Sequence, residues 1–372
     1  MERGLVAEID LQAVSHNFGV IRQMTGGRPV IAVVKADAYG HGAVEVSKRL
    51  VGDGAEYLAV AFMNEAIQLR EAGISAPILV LFDPDVKEAF EYNLTPVVGT
   101  LKAAYDLSRE AVRRGRHITV HIKVDSGMGR LGLRCVPDNC CDISECEKVI
   151  IEISRLQGIN IEGMMSHFCD ADLKYLSFAR SQISVFDTLR KNLSAAGLHI
   201  PVCHLANSAA VMSLPEAHYD AVRPGIMLYG CSPLDGVDRG LVPAMSVKAR
   251  ILALRKLPPG TSISYGRTFV TARESLVAVM SAGYADGFNR LFSNNAAVLV
   301  KGRKAPVVGR VCMDITMVDV TEIADVSEMD EVIIMGGRGE ERIGAEDLAR
   351  WSNTIPYEVM LSIGSKAKRI YI

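Results

Sequence analysis

The chain has 372 residues, 41 basic and 43 acidic side chains interspersed, and a formal net charge of -2, so it carries no basic field to concentrate nucleic acid or an anionic membrane surface. That length exceeds what one hydrophobic core usually serves and predicts two domains. No apolar run approaches bilayer-spanning length, the first ten residues lack the apolar core of a signal peptide, and eight cysteines are too few for a disulfide scaffold, which predicts a soluble cytoplasmic protein with reduced thiols and no membrane partner.

Short apolar runs then alternate with helix-like segments. Strands are predicted over 30–34, 57–62, 77–82, 94–98, 118–124, 161–167, 201–205 and 221–223, with helical stretches such as 64–71, 101–114, 173–196 and 208–214 between them. Several helices end at glycine (Gly73, Gly115, Gly197), as helix C-termini often do. Eight alternations predict an N-terminal (β/α)8 barrel over residues 10–232. The eighth strand has little apolar content and is followed by Pro224, so it could equally be irregular. The Cys135, Cys140, Cys141 and Cys146 spacing lacks the paired knuckles of common zinc sites, and His117 and His121 have no third ligand in view; both are read as non-metal, the cysteines as free thiols at a loop and helix start.

After Ser232, turn clusters separate β-rich runs at 247–254, 276–280, 297–300, 306–311, 315–320 and 331–335. Strands with few helices predict a mainly-β domain over 233–372, with residues 1–9 pairing into it.

Barrel chemistry collects where strands end at the C-terminal face. Lys35 follows the first predicted strand, Asp125 to Arg130 the fifth, His167 the sixth, Asn207 and Ser208 the seventh and Arg223 the eighth. Lys35 is backed by Ile31, Val33 and Val34; desolvation disfavours its charged form, and a neutral amine can attack an aldehyde to form a Schiff base. Asn207-Ser208-Ala209-Ala210 reads as an N-cap, and Arg223-Pro224-Gly225-Ile226 as a glycine turn with exposed N–H groups. Together they suggest a phosphate cradle.

The segments VVKADAYGHG, KVDSGMGRLG, MSHF, HLANSAA, VRPGIMLYG, SYGRTF, SAGYADGFNR, VVGRVCMDITMVDV and PYEVM resemble, in order, those of the bacterial alanine racemases that bind pyridoxal 5′-phosphate (PLP). The resemblance implies that Lys35 carries PLP and acts as one base, with Tyr265 as the other. Tyr39, Ser208, Gly225, Ile226 and Tyr357 would surround the phosphate, and Asn207 would help fix the cofactor. Arg223 would face the pyridine nitrogen, and Arg130 would face the phenolic oxygen and the substrate carboxylate. His167 would stand beside the tyrosine oxygen with Arg223 behind it, Met313 would offer an N–H to the carboxylate, and Asp314 would be a further support. Asp172, Tyr284, Arg290 and Arg310 would line a corridor to the site. In the family Tyr265 and Met313 come from the partner subunit, which implies a homodimer with shared sites. Lys123 matches a lysine that is carbamylated in some members; alternatively it stays cationic and pairs with Asp125. The implied activity is interconversion of L- and D-alanine, which the family uses to supply peptidoglycan. A broader-specificity or serine or lysine racemase of the same family, a barrel-type PLP decarboxylase and a non-catalytic PLP-binding protein are the competing readings.

Overall fold

The structure is a computed structural model that describes residues 4–82, 85–136, 143–237, 239–338 and 341–372. Seven parallel strands form the ring of the first unit: Ile31–Val33, Tyr57–Val60, Ile78–Val80, Thr95–Val98, Ile118–Asp125, Ile159–Met165 and Val202–His204. Each pairs with the next in chain order. Their residues are almost uniformly buried, as in a parallel sheet covered on both faces.

The eighth position differs from a regular strand. Residues there make only isolated bridges, Val30 with Val222 and Asn207 with Arg223. Four backbone hydrogen bonds nevertheless reach both neighbours: Ile31 N–H to Val222 O at 2.8 Å, Val222 N–H to Pro29 O at 3.0 Å, Val33 N–H to Pro224 O at 3.0 Å and Arg223 N–H to Ala206 O at 2.8 Å. Pro224 has no N–H to donate to a ladder, so donation from this segment ends at Arg223, although the Pro224 carbonyl still accepts from Val33.

Local signals explain the outer helices. Asp10 caps Leu11–Met24 by accepting from the N–H groups of Gln12 and Ala13. Thr100 caps Leu101–Arg114, which ends at Gly115 with φ 61°. The predicted 173–196 helix begins only at Ser177. Cys135 and Cys146 are buried and share a hydrogen bond, while Cys140 and Cys141 lie outside the described residues. His117 is exposed, and among the described residues no group of three or more His, Cys, Asp or Glu side chains is arranged to hold a metal.

The second unit is built on the long strand Met245–Leu257. It pairs antiparallel with Val6–Ile9, Ser275–Met280 and Glu331–Arg338, its register shifting twice along its length. Val6–Ile9 also pairs in parallel with Lys368–Tyr371, so the two ends of the described chain meet in this sheet. The predicted strand at 306–311 is displaced: the pairing segment is Arg303–Pro306, opposite Ala297–Val300. Two helices interrupt the β character, Ala345–Trp351 and Pro356–Gly364. Pro356 occupies the first turn of the latter, where its missing N–H costs nothing. One contiguous apolar core runs from Phe18 and Ile31 through Met245 to Val298 and Ile334, joining the units. No described helix is long and apolar enough to cross a membrane.

Candidate functional site

A cavity of about 380 Å³ opens at the C-terminal rim of the parallel strands. Lys35, Tyr39, Lys123, Arg130, His167, Asn207, Ser208, Arg223, Gly225, Ile226 and Tyr357 all line it. These residues come from five strand ends and, for Tyr357, from helix Pro356–Gly364.

Behind Lys35 the backbone is strained. Ala36, Asp37, Ala38 and Tyr39 all have φ between 51° and 55°, a left-handed turn costing about 1–2 kcal/mol per residue for L-residues. Contacts hold it in place: Asp37 accepts from Ala43 N–H at 2.7 Å and pairs with Arg369, and Glu65 accepts from Ala36 N–H. Gly40 closes the turn with φ 85°, and a Cβ there would lie 2.7 Å from Met360 O. The turn is thereby packed against the helix that carries Tyr357. Tyr39 is aimed at Gly225, where a Cβ would lie 2.4 Å from the phenolic oxygen. Ser208 Oγ accepts from Gly225 N–H at 2.8 Å, and Asn207 caps its own helix through Ala210 N–H.

Electrostatically the cavity is cationic. Burial, and then Arg130, push the Lys35 amine below its ordinary range against a smaller raising effect of Glu65. Lys123 is lowered to about 8 by burial and then by Arg130, Arg223 and Lys35. Asp125 does not pair with Lys123: its carboxylate accepts from the N–H groups of Gly127 and Gly129 at 3.0 Å. Phe82 takes up part of that role. Its ring lies 4.6 Å from Lys123 Nζ, 5.4 Å from Lys35 Nζ and 5.7 Å from Arg130 Cζ, within range of cation–π attraction worth about 0.5–2 kcal/mol per contact.

Arg223 is buried and lowered by desolvation to about 9, which leaves it charged at neutral pH. Its Nη2 donates to Ser166 O at 2.6 Å and Leu205 O at 3.2 Å, and approaches His167 Nδ1 at 3.5 Å; Nη1 donates to His204 O at 2.6 Å. Among the described residues Nε donates to no protein group, leaving it for whatever fills the cavity. Burial, then Arg223 and Arg130, hold His167 far below its ordinary range. It is neutral, with Nδ1 toward Arg223 and therefore its proton on Nε2.

The remaining residues do not reach this cavity. Tyr265 is 71% exposed and Met313 53%, both in the β unit. Tyr265 follows Ser264, whose φ of 66° is unusual for a side-chain-bearing residue; the Ser264 hydroxyl donates to Arg310 O at 2.7 Å. The Arg310 guanidinium lies against Gly266. Tyr284 and Arg290 share a separate surface groove, and Met313 O accepts from Ala285 N–H. Asp172 lies close enough to Tyr357 to help raise its phenol to about 12, after burial and Cys231. Asp314 neighbours Met313 and has a polar interaction of its own.

Phe82, Leu81, Met165 and Leu361 line the cavity without having been singled out in the sequence. Phe82 closes the predicted strand 77–82, so its rim position was a usable signal.

Two family models match the chain: "Alanine racemase, N-terminal domain" over residues 9–233 and "Alanine racemase, C-terminal domain" over 244–371. The sequence is 48% identical to an alanine racemase of Thermodesulfovibrio yellowstonii, covering 100% of this chain and 99% of that one. It is 45% identical to an alanine racemase of Desulforamulus reducens, covering 100% of both. Among solved structures, an alanine racemase of Clostridium difficile 630 superposes with a TM-score of 0.92 at 38% identity, covering 99% of this chain and 96% of that one. One from Streptomyces coelicolor A3(2) gives 0.91 at 34% identity, covering 99% and 98%.

Proposed function

The chain belongs to the alanine racemase family, and from that premise we propose that it interconverts L- and D-alanine with PLP held at Lys35. The observation that carries the reading is one cavity in which a desolvated lysine amine and a buried arginine with a spare N–H both face the same space.

The residues fit the cofactor. The spare Arg223 Nε–H suits a pyridine nitrogen acceptor, four cations call for an anion, and the Tyr39 phenol and Ser208 hydroxyl converge on Gly225, where they suit a phosphate. Tyr39, Ser208, Gly225, Ile226 and Tyr357 would hold the phosphate, and Asn207 would steady the ring. When bound, PLP supplies an aldehyde for covalent attachment and a conjugated ring that acidifies the substrate Cα–H. Arg223 can only donate to the ring nitrogen, which keeps that nitrogen unprotonated and disfavours proton return at the wrong carbon.

Racemisation needs a proton to leave one face of a planar centre and another to arrive on the opposite face. The Lys35 amine serves one face and the phenolic oxygen of Tyr265 the other. A phenol's ordinary pKa is about 10, so it needs help as a base. Neutral His167, with its proton on Nε2, can donate to that oxygen while Arg223 supports its Nδ1. Arg130 and the Met313 N–H would orient the substrate carboxylate, with Asp314 as support and Asp172, Tyr284, Arg290 and Arg310 along the corridor.

Tyr265 and Met313 are supplied by the partner subunit in this reading. Supporting it, Tyr265, Tyr284, Leu291 and Met313 present large side chains to solvent at 71%, 42%, 60% and 53% exposure, a surface of the kind subunits cover. The functional units are then a barrel of residues 10–232 and a β unit of 233–372 with 1–9, in a cytoplasmic homodimer supplying D-alanine for peptidoglycan. Lys123 is the carbamylation site: its neutral amine attacks carbon dioxide, forms an N–C bond and releases a proton, giving an anion that accepts from Arg130.

Incubation of the PLP-loaded protein with L-alanine in deuterium oxide tests the reading. Loss of optical rotation accompanied by α-deuteration is the expected outcome. Carbon dioxide release, or no exchange at all, would reject it.

A further inference from the structure

A hydrogen-bonded chain runs from Arg223 away from the cavity into the barrel interior. Arg223 Nη1 lies 2.9 Å from His204 Nδ1, His204 Nε2 lies 2.7 Å from His121 Nδ1, and His121 Nε2 lies 3.1 Å from Glu162 Oε2. Both imidazoles are fully buried, while the Glu162 side chain keeps 32% exposure. Tyr57 also hydrogen-bonds Glu162. None of His204, His121, Glu162 or Tyr57 lines the cavity.

The direction of this chain is forced. A guanidinium can only donate, so His204 Nδ1 accepts and its proton sits on Nε2. That N–H makes His121 Nδ1 an acceptor, which puts the His121 proton on Nε2, where it meets the carboxylate. A second proton on His204 would face Arg223 directly, and burial together with that arginine holds His204 far below its ordinary range.

The backbone is shaped around the chain. Val120 pairs with Ile161 but His121 with Gly163, so Glu162 is the extra residue of a bulge, a device that re-aims side chains beside active sites. A Cβ at Gly163 would lie 2.3 Å from His121 Nδ1. Gly163 is absent from the positive-φ residues, so glycine is needed there for space and not for backbone freedom.

Resting on the reading that Arg223 faces the cofactor ring, we infer that His204, His121 and Glu162 are positioning residues for the reaction, a one-way donor chain that fixes the Arg223 guanidinium from the far side of the barrel. Their effect passes entirely through Arg223.

Two measurements test this. Histidine-selective 15N NMR on the cofactor-free protein should show His204 and His121 protonated at Nε2 only; a proton on Nδ1 of either overturns the chain. In the PLP-loaded protein, Glu162→Leu should lower kcat about tenfold, the size expected for losing a hydrogen bond to a charged group. KM for alanine should stay within about twofold, the cofactor absorption band should shift, and pyruvate formed per racemisation should rise. Glu162→Gln, whose carbonyl oxygen can take the same proton, should restore most of kcat. An unchanged kcat and spectrum in Glu162→Leu, or a loss tracking melting temperature that Glu162→Gln fails to rescue, overturns the positioning role. Wild-type protein with no pyridoxyl adduct at Lys35 would sink the reading of the site, while the tautomer result would stand or fall by itself.

Discussion

Lys35 and Tyr265 both follow or adjoin strained backbone, yet their surroundings differ. The left-handed turn after Lys35 is tied down by Asp37, Glu65 and the packing of Gly40 on Met360, and the amine opens into a cavity enclosed by its own chain. The turn that presents Tyr265 is also tied down, through Ser264 and Arg310, but the phenol is 71% exposed. Strain of about 1–3 kcal/mol per residue persists only where the surroundings over-determine it. On the barrel side it shapes a cavity; on the β side it holds out a largely exposed side chain. On the proposed reading, one chain builds a place to hold a cofactor and a separate tool for use in its partner.

Lys35→Ala should have the largest effect. Loss of both the attachment point and one base should lower racemisation by about 10⁴-fold or more. Borohydride reduction of the wild type should leave a pyridoxyl group on the peptide containing Lys35, and an adduct on another lysine would reassign the pocket. Tyr265→Phe offers the contrasting case: activity should fall by about 10²–10⁴-fold while PLP loading stays at the wild-type level. A loading defect in Tyr265→Phe would erase the distinction between the two regions.

Arg223→Glu should come next. A carboxylate in place of an obligate donor favours protonation of the ring nitrogen, so racemisation should slow by about 10²-fold while pyruvate formation rises relative to it. A constant ratio of the two products would make the arginine merely structural.

Lys123→Ala should cost about tenfold, with partial recovery in millimolar acetate if an anion normally orients Arg130. A harmless substitution that ignores acetate would remove that role and leave the Phe82 ring as the balance for Arg130.

The one effect that leaves the site untouched concerns stability. His41 is buried, stacked on Tyr229 at 4.5 Å, and lowered to about 4 chiefly by burial. Below its ordinary value of 6.5 the unfolded chain takes up a proton that the folded chain refuses, so stability falls with decreasing pH and levels off near pH 4. His41 accounts for about 3 kcal/mol of this loss by linkage. Urea melts between pH 7 and pH 4 should show it, and His41→Gln should flatten the slope; an unchanged slope would assign the acid sensitivity elsewhere.

Strand ends were the legible part of the site. Lys35, His167, Asn207, Ser208 and Arg223 follow apolar runs that pair in the ring or close it, and all line the cavity. Phe82 occupies the same kind of position but is apolar, and a search for polar chemistry passes over it. Tyr357 could be placed only through family resemblance, because a helix distant in sequence brings it to the rim, and Pro356 marks only where that helix starts. Nothing in Ala36-Asp37-Ala38-Tyr39 announces a left-handed turn, since only Gly40 at its end has the residue type that favours positive φ. The eighth strand was ambiguous in sequence for the reason it is irregular in space: too few apolar residues before Pro224 to sustain a ladder.

The shared-site account is tested most directly by mixing Lys35→Ala with Tyr265→Phe, each inactive alone, under conditions that exchange subunits. If Lys35 of one chain works with Tyr265 of the other, each heterodimer holds one doubly defective site and one intact site. Random exchange should then restore about one quarter of wild-type activity. No recovery in samples where heterodimers are verified by mass would contradict it, and would place both bases within one chain.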